Sequence, residues 1–481
     1  MKILGFEIKR AKAPVRQKKS FSAANTGNLY ASWIPSNNTA DVDIKRDLKS
    51  IRNRSRELMR NDDYAKKFKR MIKSNVVGSQ GIKLQNQAKD TNGNLDKKAN
   101  KTIETAYKKW GKKGNCDVTG KYSLIDIKKM IMGTLAEDGE VLVRKVKGFD
   151  NECGFALQLL EADHLDEQFT DTNRNILMGI EYDKWNKPIA YHLHKTHPGN
   201  STLTSRDITR ERIPADEINH LFLPLRISAT RGVPWMASAM TRMKMINGYE
   251  EAELVGARLG ASKAGFYTRN QAEGEYAGDS EVNGTPINEV TPGEFEVLPE
   301  GWGFEAYDPQ HPNAAFKDFM KVVLRGVASG LDVSYNSLAN DLEGVNFSSL
   351  RSGIIEEREV WKDLQKWLTE HLLDDVFADW LDMALLTQSV ALPYFKIDKF
   401  IAPTWMPRKF DWIDPLKDVQ ANILAIKEGL KTHSQLAAEM GMDIEELYEQ
   451  LAYEKDLREK YGITLMSDVE LGNIIESKDE D

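Results

Sequence analysis

The segment from Gly330 to Trp361, GLDVSYNSLANDLEGVNFSSLRSGIIEEREVW, joins a polar, Asn-rich loop to the start of a very long amphipathic helix. Asn336, Asn340, Asp341, Asn346, Ser348 and Ser349 are residue types that bond to nearby backbone and favour turns and helix N-caps. After Ser348 the pattern changes. Leu350, Ile354, Trp361, Leu364, Leu368 and Leu372 recur at helical spacing, with charges on the opposite face. The spacing predicts a helix from Ser349 to about Leu385, roughly 55 Å long at 1.5 Å per residue. Gly353 is the weak point of its interior.

Other stretches carry their own punctuation. Residues 1–40 read as a flexible basic arm, with Lys9, Arg10, Lys12, Arg16, Lys18 and Lys19 followed by Ser/Asn/Thr-rich sequence. From Asp43 to about Val76 the period is helical, VVGSQGIKLQNQ reads as turn and strand, and a further helix is expected around Asn94–Trp110. Leu124–Leu135 is a predicted helix. GEVLVRKVK and FALQLLEADHL read as paired strands, GIEYDKWNKPIAYHLH as a hairpin, and HLFLPL from His220 as another strand. A helix from Trp235 to about Tyr267 carries Gly256, Gly260 and Ala264 four apart, which permits close packing of a neighbouring helix. The polar stretch Arg269–Pro292 and two short strands about Pro299-Glu300-Gly301 form an insertion before a helix over Pro312–Leu331. Asp414-Pro415 opens further helices, with Gly429 as a stop and Asp443 as a cap. The last of these ends near Gly462.

Size and charge narrow the class. The chain has 481 residues, enough for several domains, and its net charge is −7. The tail from Asp443 onward is acidic. Such a charge argues against a protein whose main task is gripping phosphates. No run reaches the roughly 18 apolar residues that would span a bilayer, and the N-terminus lacks a secretory apolar region. The expected place is the cytoplasm or a particle assembled there. Cys116 and Cys153 make neither a disulfide framework nor a zinc cluster and read as reduced thiols.

Two chemistries compete for notice. His192 and His194, two apart on a strand, share a face, and with His197 and either Asp163 or Asp183 they could hold a metal. Their position on a hairpin suits a solvated or interface surface better. THSQLAAEMGMDIEELYEQL, Thr432–Leu451, scans as helix–turn–helix, but its second helix opens with Asp443, Glu445, Glu446 and Glu449, which phosphates would repel. No G-x-x-x-x-G-K-[ST] loop, G-x-S-x-G elbow or Cys/His signature is present. An enzyme is not expected.

AEDGEVLVR at Ala136–Arg144, LQLLEADHL at Leu157–Leu165, the hairpin, RGVPWMASAM at Arg231–Met240 and the Gly330–Trp361 passage occur in one order. In that order and spacing the chain, from about Asp43 to Gly462, resembles the lambda-type tailed-phage portal proteins. The resemblance implies an α+β portal fold with long helices and a mixed α/β wing, assembled as a ring, usually of twelve copies, at one capsid vertex. It implies a wing at 41–234, stem helices at 235–268 and 312–331, and a clip at 269–311 between them. It further implies a tunnel loop at 332–347, the long wing helix and return strands at 348–413, a helical crown at 414–462 and an acidic tail at 463–481. Implied partners are the large terminase, the major capsid protein or scaffold, the head-completion adaptor, and double-stranded DNA in the channel. No cofactor, catalytic centre or membrane contact is implied, and the location would be the virion. Lys321 and Arg325 on the second stem helix, with Asn336, Asn340 and Asn346 in the loop, are the candidate DNA-facing residues. Turn formation, or pairing with a neighbouring subunit, is the plainer role for the same side chains.

Overall fold

The computed structural model describes residues 2–3, 6–7, 36–200, 209–261, 265–269, 280–282, 285–287, 302–306, 316–343, 347–410, 415–440 and 444–462. Near the N-terminus β1 (Lys2–Ile3) and β2 (Phe6–Glu7) pair with each other. The helical period from Asp43 becomes two helices, α1 (Ala40–Asn61) and α2 (Asp63–Ile72), and a π-helical turn over Lys73–Val77. The break falls at Asp62, which is extended and accepts from the Ala65 N–H at 2.6 Å, so a capping carboxylate overrides the continuous period. β3 (Lys83–Asn86) and α3 (Lys97–Trp110) follow, α3 being capped by Asp96. A reciprocal Ser123–Asp126 capping box opens α4 (Leu124–Asp138), and Gly139 closes it in the left-handed conformation.

The sheets come next. β4 (Glu140–Lys147) and β5 (Phe155–Leu160) pair antiparallel as expected. β6 (Ile176–Leu177), β7 (Ile180–Tyr182), β8 (Pro188–His194) and β9 (Arg210–Pro214) form a four-stranded sheet in sequence order, and it contains the expected hairpin. β10 (Ile218–Phe222) joins the other edge of β4, giving the order β10-β4-β5.

Two readings of the middle of the chain change. The helix expected over Trp235–Tyr267 is α5, Met240–Ala261. Residues Trp235–Ala239 are spent in turns after Pro234, with the Ala237 N–H on the Pro234 carbonyl at 3.0 Å. Tyr267 lies in β11 (Gly265–Arg269), where Phe266, Tyr267 and Thr268 suit a strand. After β12 (Ser280–Val282) and β13 (Thr285–Ile287), a mutual pair, comes β14 (Trp302–Ala306). The partner of β14 is β11, and residues 288–300, where the strand expected before Pro299 falls, lie outside those described. Ala264 does too.

α6 (Phe316–Gly330) and the short α7 (Tyr335–Ala339) lead to the long helix. It runs as α8 (Phe347–Leu368), a π-helical turn over Thr369–Leu373, and α9 (Asp374–Leu386). The irregular point is therefore that turn and not Gly353, which sits inside α8 with open space beside it. α10 (Ile397–Phe400), β15 (Pro403–Met406, paired with β3), α11 (Pro415–Lys427), α12 (His433–Glu439) and α13 (Ile444–Tyr461) complete the chain. Gly429 and Gly462 take positive φ at the ends of α11 and α13, as their stop positions require.

The main core is aromatic. The Tyr107 ring lies 4.9 Å from that of Trp380 and 5.7 Å from Phe377, and Trp110 packs on Phe155 at 5.7 Å. Lys128 is buried at the edge of this cluster. It donates to the Ile82 carbonyl at 2.9 Å and stands 5.6 Å from the Trp405 ring, and among the described residues no carboxylate pairs with it.

A second buried group ties β4 to the chain leading into α5. Glu140, fully buried, accepts from Arg52 Nη2 at 2.6 Å, Arg231 Nε and Nη2 at 2.9 and 2.5 Å, His220 Nε2 at 3.0 Å and the Gly232 N–H at 3.0 Å. Burial would raise its pKa, but Arg231, His220 and Arg52 hold it well below the usual carboxylate range. The backbones meet closely there: a Cβ on Gly139 (φ +85°) would stand 2.2 Å from the Val233 carbonyl carbon, and one on Gly232 2.1 Å from the Gly139 oxygen. Next to it Arg56 clasps Asp138 at 2.7 Å.

Replacing Glu140 with Ala leaves the buried Arg231 guanidinium without its carboxylate and Arg52 with only Glu167 at 3.9 Å, so it should cost about 3–5 kcal/mol, read as a lowered urea midpoint with an unchanged slope. Lys128 gives a pH signature. Burial lowers its pKa from 10.5 to about 7, so between those values the unfolded chain holds a proton that the folded chain does not. Stability should rise as pH climbs from about 7 towards 10, the range where an unburied lysine titrates, and Lys128→Met should flatten that rise.

Candidate channel-lining site

α6 presents two faces. Met320, Leu324, Val327 and Ala328 face the core, and Ser238 on the turns before α5 donates to the Gly330 carbonyl at 3.0 Å. Arg242 of α5 lies against Gly326, where a Cβ would come within 2.4 Å of its guanidinium, so α5 and α6 approach closely. Tyr249 of α5 stacks on Phe316 at 5.6 Å between ring centres.

The loop after α6 folds back on this helix. Asp332 takes a left-handed φ of 53°, and Ser334 caps α7 through the Ser337 N–H at 3.2 Å. Ser337 in turn donates to Glu357 of α8 at 2.9 Å. Asn340 ends α7 at φ 56°, a conformation Asn tolerates, and its side-chain oxygen accepts from Lys67 of α2. The loop supplies two carboxylates to the α6 cations: Lys321 lies 3.4 Å from Asp341 and 3.7 Å from Glu343, and Lys317 lies 2.6 Å from Glu343. Arg325 lies 5.5 Å from the centre of the Tyr335 ring, and the Tyr335 hydroxyl donates to Asp341 at 2.7 Å. The Tyr335 hydroxyl, the Glu343 N–H and Lys321 together hold Asp341 below the usual carboxylate range. Tyr335 is pushed up to about 12 by burial and by that same carboxylate.

Of the candidate residues, Lys321 and Arg325 are brought against the loop through Asp341 and Tyr335, while Asn340 bonds Lys67 of α2 and Asn336 is half-buried on α7. Asn346 lies outside the described residues. The sequence reading missed the loop's own counter-charges, Asp341 and Glu343, and the Tyr335 ring. All three sit in or beside the motif, but only the backward fold of the loop reveals their partners.

The metal arrangement does not assemble as expected. His192 bonds Glu181 at 3.2 Å and His194 lies 3.6 Å from Asp166, and each of those carboxylates already pairs with an arginine, Arg212 or Arg210. Asp183 is taken up by its turn, accepting from the Trp185 and Lys187 N–H groups at 2.7 and 2.8 Å. His197 does meet Asp163 and Glu161, with donor atoms within 4.8 Å of one another, but the Arg56 guanidinium already binds Asp163 and supplies the positive charge. Nor does the C-terminal helix pair stand free as a DNA reader. Glu445, in the first turn of α13, pairs with Lys97 of α3 at 2.8 Å. Among the described residues no helix is long and apolar enough to cross a membrane.

The sequence profile described as "Phage portal protein, lambda family" matches residues 26–365. The probable portal protein of Halomonas phage phiHAP-1 is 36% identical over 449 residues, 92% of this chain and 86% of that relative. Portal protein B of Escherichia phage lambda is 22% identical over 484 residues, 91% of this chain and 89% of the relative. A solved chain from the neck of a native GTA particle, computed with C12 symmetry, aligns with 81% of this chain and 93% of its own length, at a TM-score of 0.46 and 12% identity. With the profile covering most of its length and a full-length relative above one-third identity, this chain belongs to the lambda family of phage portal proteins.

Proposed function

We propose that the subunits close into a ring, of about a dozen copies as the family resemblance implies, at one capsid vertex, and that the genome enters and leaves through its centre. The observation that carries this reading is apolar surface that the subunit's own fold leaves uncovered on its stem helices. Met245 and Leu254 on α5 are 69% and 66% exposed, and Phe319 and Val322 on α6 are 51% and 66% exposed. Uncovered apolar surface of this kind marks a contact between subunits, and a head-to-tail contact closes into a ring when the rotation permits.

In this reading 41–234 with the long helix is the wing, α5 and α6 are the stem, 269–311 the clip, 332–347 the tunnel loop and 414–462 the crown. Lys321, Arg325, Asn336, Asn340 and Asn346 face the DNA. Charge balance supports that role. Lys317, Lys321 and Arg325 are offset by Asp341, Glu343 and the Tyr335 ring, so the surface offers hydrogen bonds without a dense cationic trap. A duplex that must slide needs such a surface. The clip would dock the large terminase during filling and the head-completion adaptor afterwards, and the wing would meet the major capsid protein or scaffold. Assembly would take place in the host cytoplasm.

Class averages of the purified assembly should show an annulus of about a dozen subunits with a duplex-wide hole, and a stable monomer would refute the ring. Lys321→Ala combined with Arg325→Ala should lower packaged or retained DNA by about tenfold while leaving rings intact. Unchanged filling and retention would remove both residues from the DNA-facing set.

A further inference from the structure

The outward face of α3 takes no part in the channel. Lys98, Lys101, Thr105 and Lys108 follow one another at intervals of three and four, so they form one exposed stripe, roughly 15 Å long at 1.5 Å per residue, with the exposed Lys112 just past the helix end. Neighbouring lysines are engaged: Lys97 pairs with Glu445 at 2.8 Å and Lys109 with Glu152 at 2.6 Å. Among the described residues no ion pair engages Lys98, Lys101, Lys108, Lys112 or Lys113. Like charges at this spacing repel by a few tenths of a kcal/mol per pair, so the stripe weakens the helix that carries it.

A pocket of about 410 Å³ opens beside the stripe, between α3, the turn at 151–153 and Ser389. Its deep end is the buried Trp110 and Cys153 with Ala106, and Lys101, Thr105 and Lys109 stand at its mouth. Such a volume with an apolar end accepts one bulky aliphatic or aromatic side chain. One feature disfavours nucleic acid. The Asn151 amide, the group suited to reading a base edge, is committed to the Asn115 and Phe155 carbonyls at 2.7 and 2.9 Å.

We propose that the α3 stripe and this pocket form a docking surface for a separate protein, which presents an acidic peptide segment with an apolar anchor. Its carboxylates lie along Lys98, Lys101, Lys108 and Lys112, and its anchor enters between Thr105 and Trp110. The surface is on the wing, so this inference stands or falls apart from the channel assignment.

Fluorescence anisotropy on the assembled full-length protein tests it, with a labelled Glu-Glu-Asp-Leu-Leu-Asp-Glu-Glu peptide as probe. Saturable binding is expected. It should weaken by about tenfold in the pair Lys101→Glu and Lys108→Glu, where charge complementarity is inverted. Thr105→Trp, which fills the pocket without changing charge, should weaken it by about tenfold too, as should replacing both probe leucines with glycine. No binding, or binding indifferent to the leucines, overturns the proposal. A short DNA duplex bound as tightly through the same lysines would instead make the face a nucleic-acid surface. Peptide binding seen only after removal of residues 463–481 would give it to the chain's own acidic tail.

Discussion

One carboxylate with no water around it holds the architecture together. Glu140 begins β4, directly after the glycine that ends α4, and it collects two arginines, a histidine and a backbone N–H from three separate segments. A buried ion of this kind gives little net stability compared with apolar packing, but it is costly to leave half-made. Its consequence is positional. Arg231 and Gly232 reach it only if the chain leading to α5 crosses β4 at the Gly139–Gly232 contact, where no side chain fits on either residue. The direction in which α5 leaves the sheets is thereby fixed.

Much of the local structure could be read from neighbouring residues, because the forces that set it are local. The capping box of α4, the β7–β8 hairpin, and Gly429 and Gly462 at helix ends all follow from spacing and turn chemistry. The break at Asp62 had a signal too, an Asn-Asp-Asp run inside a helical period, but the period was the louder pattern. Long-range pairings were not readable in this way. Arg231 and Glu140 are 91 positions apart, and AEDGE and RGVP gave no sign, as motifs, that they are halves of one contact. The pairing of β14 with β11 is of the same kind.

The loop after α6 shows the same division. The sequence displays Lys321, Arg325 and the asparagines, but whether those cations stand bare depends on where the loop goes. Ser334, Asn340 and Asp332 turn it back across α6, and that reversal brings Asp341 and Glu343 onto the lysines and Tyr335 beneath Arg325. The result is a surface with both signs interleaved, held by short-range pairs that salt screens only partly. Family membership and the uncovered apolar stem residues then give this balanced surface a setting in which weak, evenly spread contact is useful.

The π-helical turn at Thr369–Leu373 has a consequence for how one helix serves two neighbourhoods. Such a turn accommodates one residue more than an α-helix would, and each residue in an α-helix advances the azimuth by about 100°. Trp361 and Leu368 therefore pack on one bearing, while Phe377 and Trp380, past the turn, are rotated into the aromatic cluster around Tyr107. The turn acts as a phase adjuster in an otherwise stiff rod. Loss of one residue there would leave both halves helical yet swing the tryptophan of α9 out of its socket, separating the mechanical continuity of the rod from its orientation.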